Sequence, residues 1–296
     1  MNKTETLERY RKTLTIRRLA PRTIRIYNRW IEIFIDYINF TDSENVTLSQ
    51  AQDFLYFLQS KNYAARTHNQ AVYALRQFFE AVLERPVTPR QIPKVHPPRS
   101  DKPWLNADQA RQILDSCSSP RLKAAVALAF GCGLRLSEIT HLQFKNINKT
   151  SCTITIENSK WDRTRTVPYS PQVREILNDY VRSLGSRKFK PDDFLFYEKK
   201  PEIRLKNTSL AMEFHELIQT FDFYLPGHSL HSLRHAYATE LSMHHVPLPV
   251  IQKLMGHVSA VTTAKYIHSP QAVTSALQAL LESGGRNANA VKSDTK

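Results

Sequence analysis

Glycine is scarce in this 296-residue chain, at seven residues, and cysteine scarcer still, at three. Cys117, Cys132 and Cys152 are odd in number and far apart. That argues against a disulfide framework and against the paired spacing of a zinc site, and it suits a reducing cytosol. Cys132 lies between Gly131 and Gly133, close to Arg135, and reads as a small packed residue rather than a nucleophile. No apolar run is long enough to span a bilayer, and the opening MNKTETLERYRKTL holds no apolar leader segment. Neither a membrane-spanning nor a secreted protein is expected. Internal repeats are missing too. Acidic side chains are in deficit: 27 Asp and Glu face 41 Lys and Arg, a net charge of +14. Such an excess suits a polyanion, and no polybasic amphipathic helix or lipidation motif directs it to acidic lipid. Nucleic acid is the expected partner.

Helical periodicity is what the chain has in quantity. Its length suits two domains, each able to bury a core. In residues 1–85, Leu7, Tyr10 and Leu14 form one short stripe; Pro21 suits a first helical position and precedes Ile24, Tyr27, Ile31, Phe34, Ile35 and Ile38. Thr47 with Gln50 makes a capping box for a helix burying Phe54, Leu55 and Leu58. A fourth helix carries Val72, Leu75, Phe78, Phe79, Val82 and Leu83. The reading is a compact bundle with Arg17, Arg18, Arg22, Arg25, Arg29, Arg66, His68 and Arg76 on its polar surface. Residues 86–103 hold six of the sixteen prolines, with basic residues between them, and read as an extended linker.

A second domain starts at Trp104. Asn106 with Gln109 opens a helix, and Leu122–Phe130 is apolar enough to be buried all round. Residues 152–168 alternate as a hairpin, with Lys160 in or beside its turn. Helices are predicted at Pro171–Leu184 and Ser209–Phe221, with a short apolar segment Phe194–Tyr197 between them, and again after Pro270, where Val273, Leu277, Leu280 and Leu281 share a face. The tail from Ser283 is polar and reads as unstructured.

The polar groups of interest concentrate in His228–His268. His231, Arg234 and His235 fall at i, i+3 and i+4, on one flank of a helix, while Leu230, Leu233, Tyr237 and Leu241 form its buried stripe. That spacing sets two histidines and an arginine along the rim of a core. HSLRH lacks the glutamate of a zinc-protease helix, and its arginine would repel a cation, so no metal is expected. Gly256 stops the short helix Leu248–Met255, and His257 follows at once, with Tyr266 nine residues on. Upstream, Arg135 stands on a glycine-flanked turn that opens a helix, with Glu138 three residues later. Gly131, Gly133 and Gly256 thus flank candidate site residues, where tight turns bring backbone close to a phosphate.

The segments GLRLSEI, HSLRH, MGH and TTAKYIH, in this order over about 130 residues, resemble the tyrosine recombinase (phage integrase) family, closely in the last two thirds of the chain and more loosely in the first. The resemblance implies a mainly α fold with a small antiparallel β-sheet, in two domains that form a C-shaped clamp around DNA. Residues 1–85 would be the helical, SAM-like core-binding domain, 86–103 the linker, 104–283 the catalytic domain and 284–296 a flexible tail. It implies Arg135, Lys160, His231, Arg234, His257 and Tyr266 as the catalytic set, with Tyr266 as nucleophile and Glu138 in support. Ser159-Lys160-Trp161 departs from the family's glycine-flanked lysine. No metal or other cofactor is implied. The expected partner is a double-stranded recombination site, bound by a homotetramer on two DNA sites with helix 271–281 docking in trans, in the cytoplasm at the nucleoid. The implied activity is site-specific cutting and rejoining through a 3′-phosphotyrosyl intermediate, as in simple Xer-like, integron or transposon enzymes. The competing readings are a type IB-like topoisomerase and a DNA-binding protein without catalysis.

Overall fold

The computed structural model describes residues 1–96, 104–157 and 164–256, in two compact units, Met1–Asp101 and Lys102–Lys296. In the first unit, four helices run Lys3–Ile16 (α1), Pro21–Tyr37 (α2), Leu48–Ser60 (α3) and Ala65–Ala81 (α4). Local chemistry sets their starts. Asn2 and Glu5 close a capping box on α1, Pro21 begins α2, and Thr47 and Gln50 close a second box on α3. Their apolar faces meet in one core that includes Tyr10, Leu14, Ile31, Phe34, Phe54, Leu75 and Phe78. The Tyr10 hydroxyl donates to the Ala74 carbonyl at 2.9 Å, so this phenol enters the core without stranding its polar atom.

Two residues expected on the bundle's polar surface turn inward. His68 is buried, with Nε2 3.1 Å from the Leu55 carbonyl oxygen. Arg76 donates from Nε to the Ile92 carbonyl at 3.0 Å. Its Nη2 also donates to the Pro89 carbonyl at 3.4 Å, so one side chain satisfies two main-chain acceptors. Asn69 exchanges two hydrogen bonds with the Val95 backbone, at 2.8 and 2.9 Å, and Ile92 is buried in the bundle core. The proline-rich segment is thus laced onto the first unit as far as Val95 rather than standing free from residue 86.

The second unit adds helices Ala107–Asp115 (α5), Pro120–Gly131 (α6), Leu136–His141 (α7), Pro171–Ser183 (α8), Asn207–Ile218 (α9), Leu230–Met243 (α10) and Leu248–Met255 (α11). Asn106 and Gln109 cap α5 as a box. Helix α6 is buried nearly all round and packs against α8 and α10, so it forms the axis of the core. Three short strands, Ile147–Asn148 (β1), Thr153–Ile156 (β2) and Arg165–Pro168 (β3), form an antiparallel sheet in the order β1-β2-β3. Ile154 pairs with Val167, and Ile156 with Arg165. Ile154, Ile156 and Val167 point into the core, as alternation predicts. No helix among the described residues is long and apolar enough to cross a membrane.

Candidate active site

The site is built around one carboxylate. Glu138 is the third residue of α7, and its Oε2 accepts the backbone N–H of Arg135 at 2.8 Å, which satisfies a donor at the helix start. Its Oε1 accepts Nη1 of Arg135 at 2.8 Å. From β3, Arg165 adds a two-pronged contact, Nη1 to Oε1 at 2.9 Å and Nη2 to Oε2 at 2.7 Å. From α10, Nη1 of Arg234 lies 3.6 Å from Oε2. Three arginines from three elements therefore share one glutamate, which leaves a net positive charge of two at the centre. Burial alone would raise the Glu138 carboxyl. The hydrogen bonds and charge of Arg165, then the backbone N–H and charge of Arg135, outweigh it and hold the group down at about 2.

The same arginines grip backbone turns. Arg234 is fully buried, at 0% exposure, and its two terminal nitrogens donate to the carbonyls of Gly133 and Met255. Arg165 Nε donates to the Leu254 carbonyl at 2.8 Å, and Arg135 Nη2 to the Gly256 carbonyl at 3.3 Å. The end of α11 is thereby tied to α7, α10 and β3. Gly256 ends α11 at φ 59° and ψ 44°, the left-handed conformation that glycine adopts without steric cost. A Cβ there would come within 2.9 Å of Arg165 Nη1. Gly133, at φ 63°, lies so close to Tyr237 that a Cβ would sit 2.4 Å from the ring.

Sequence spacing set Arg234 with His231 and His235 on a rim. The structure separates them: Arg234 points into the core, because its guanidinium finds carbonyl acceptors and Glu138 there, whereas His231 is exposed at the first turn of α10. The His231 and His235 rings meet edge to face at 4.7 Å, and the Trp104 ring lies 4.2 Å from His235. Cys132 is buried and its thiol is pushed up to about 12 by that burial, so it is no nucleophile at neutral pH. Among the described residues, no three His, Cys, Asp or Glu are grouped to hold a metal ion.

Lys160, His257, Tyr266 and helix 271–281 lie outside the described residues, as does the tail. Arg135, Glu138, His231 and Arg234 are described, and the first, second and fourth converge on one centre. Arg165 joins that centre although the sequence pattern did not single it out. Its partner is 27 residues away, so no local spacing marks it; the only clue is an arginine in a strand otherwise suited to β-branched residues.

The N-terminal SAM-like domain of phage integrases matches residues 6–89, and the phage integrase family matches residues 103–272. Among curated relatives, the tyrosine recombinase XerA of Pyrococcus horikoshii is 26% identical over 88% of this chain and 87% of its own. Two solved structures share the fold. A lambda integrase dimer bound to a COC′ core site has a TM-score of 0.70, with 19% identity over 90% of this chain and 95% of that one. XerH recombinase, in a post-cleavage complex with palindromic difH substrate, has a TM-score of 0.67, with 20% identity over 86% and 78%. The match over residues 103–272 takes in the whole arginine–glutamate centre, and the chain belongs to the phage integrase family of tyrosine recombinases, enzymes that transfer DNA strands.

Proposed function

We propose that this chain cuts and rejoins DNA at specific sites through a covalent bond to Tyr266. The observation that carries the reading is the cluster of Arg135, Arg165 and Arg234 on Glu138, fastened to the turn that immediately precedes His257. A phosphodiester broken without metal needs a nucleophile, positive charge on the pentavalent phosphate, and a proton for the departing oxygen. The Tyr266 oxygen attacks phosphorus, the bond to the 5′-oxygen breaks, and a 3′-phosphotyrosyl ester remains. Attack by the 5′-hydroxyl of another strand reverses these bond changes and seals the new joint, so the phosphodiester energy is conserved.

The remaining roles follow from side-chain chemistry. Arg135 and Arg234 neutralise the non-bridging oxygens, which a planar guanidinium does with directional donors. Arg234 reaches them only by gaining exposure when DNA binds, since its terminal nitrogens serve Gly133 and Met255. His257 adds a hydrogen bond to the same phosphate. Lys160 protonates the leaving 5′-oxygen, and His231 takes the proton of Tyr266, whose hydroxyl is otherwise protonated at neutral pH. Glu138 holds Arg135 by both its backbone and its guanidinium. The first unit serves as the core-binding domain, and four protomers join two sites with helix 271–281 of each docking on a neighbour. A ring of such contacts closes without a two-fold interface. The type IB-like topoisomerase and the binding-only protein are not favoured.

The test is covalent capture. The chain is incubated with sheared host DNA, denatured in detergent, and the linked fragments are sequenced. Linked fragments that share one sequence are the expected result. Linkage without a shared sequence would move the reading to a topoisomerase, and binding without linkage would remove the enzyme.

A further inference from the structure

Trp104 is an anomaly of the second unit. It is a large aromatic at 49% exposure, beside Leu105, which is buried in the core, and Asn106, which caps α5. Its backbone is therefore fixed on both counts while its indole faces outward. The indole is not idle. It lies at 4.2 Å and a tilt of 57° on the ring of His235, and His235 meets His231 at 4.7 Å and 84°. The His231–His235 distance is that of an aromatic contact pair, and Trp104 lies closer still to His235. His231 sits at the first turn of α10 and is exposed, so helix packing alone leaves its ring several rotamers. His235, one turn further on, sets its ring against that of His231, and Trp104 contacts His235 in turn.

We infer that Trp104 and His235 are positioning residues for His231, acting as a chain of ring contacts that holds the His231 imidazole in the orientation needed to accept a proton. The role rests on the proposed strand-cleavage chemistry and extends it to two residues that touch neither DNA phosphate nor nucleophile in that scheme. Ring contacts suit the task because they fix the plane of the imidazole. Tryptophan at the outer end offers the largest flat face available, and the exposed position costs little when the ring is cut back. Losing it should disturb geometry far more than folding.

The experiment is a double-mutant cycle on the full chain, read as the single-turnover rate of covalent linkage to sheared host DNA. The variants are Trp104→Ala, Trp104→Phe, His231→Ala and the pair Trp104→Ala with His231→Ala. Trp104→Ala should slow linkage about tenfold or more, since small misplacements of a catalytic group are costly, with DNA affinity and melting temperature unchanged. Trp104→Phe, which keeps a ring, should recover most of the rate. In the His231→Ala background, Trp104→Ala should have no further effect, because the ring it positions is gone. An undiminished Trp104→Ala effect in that background, or no effect in the wild-type one, would overturn this role alone. A wild-type chain that links no DNA overturns the strand-cleavage reading, and this role with it.

Discussion

At the scale of single residues, Glu138 decides the site. Among the described residues it is the one carboxylate among three arginines, and Arg165 is only 8% exposed. Removing the negative charge strands a buried cation, which typically costs about 3–5 kcal/mol. Glu138→Gln should therefore lower the melting temperature of the second unit and abolish linkage. The pH dependence has a definite sign. The folded value, about 2, lies below the ordinary 4.5, so the charged pair stabilises the fold fully above that ordinary value. The contribution is lost as pH falls from there through about 2. Thermal melts between pH 5 and pH 3 should show wild type losing stability more steeply than Glu138→Gln. Arg165→Lys keeps the charge but not the two-pronged geometry. It should cost about 1.5–3 kcal/mol, the worth of charged hydrogen bonds, and slow linkage without weakening DNA binding; an unchanged melt would show that the fork is dispensable.

At the scale of elements, turns rather than helices carry the precision. Gly133 ends the approach from α6 with a positive φ and presses on Tyr237, while its carbonyl receives Arg234. Gly133→Ala adds the cost of a left-handed alanine, about 1–2 kcal/mol, to a clash with a ring that is itself packed. The expected outcome is a larger melting loss than for Gly256→Ala, whose Cβ meets the end of a guanidinium rather than a ring. Equal losses would mean that Tyr237 yields. The same scale explains what was legible in the sequence. The capping boxes at Thr47 and Asn106, Pro21 at a helix start and Gly256 at a helix end all stand as read, because each is satisfied within four residues. The paired strands β2 and β3 were legible from alternation. Strand β1 was not, since its two residues pair only because β2 lies beside them. Nor were the inward turns of His68, Arg76 and Arg234, whose acceptors among the described residues, apart from Glu138, are main-chain carbonyls that no side-chain pattern records. Arg165 escaped for the same reason: long-range partners leave no periodic trace.

For the whole molecule, the net charge of +14 becomes informative once paired arginines are set apart. Arg17 is engaged with Gln77 and Glu80, and Arg29 with Glu32. Arg22 and Arg25 are exposed, and among the described residues neither forms an ion pair. Basic side chains without local partners bind phosphates at least desolvation cost and release counterions when they do. Replacing Arg22 and Arg25 by alanine should weaken DNA binding at low salt and flatten the slope of log affinity against log salt by about one unit each. Arg29→Ala, which also frees Glu32, should change the slope less. A titration across salt concentrations separates the two, and equal slopes would mean that the bundle meets DNA by another face.

The most direct measurement on the central claim is to find the atom that carries the DNA. Linked complexes are digested with nuclease and protease, and the peptide bearing a nucleotide remnant is identified by mass spectrometry. The account predicts that the remnant sits on Tyr266, one of twelve tyrosines, joined through a 3′-phosphate, and that Tyr266→Phe yields no such peptide. A remnant on any other residue, or linkage that survives Tyr266→Phe, would contradict it.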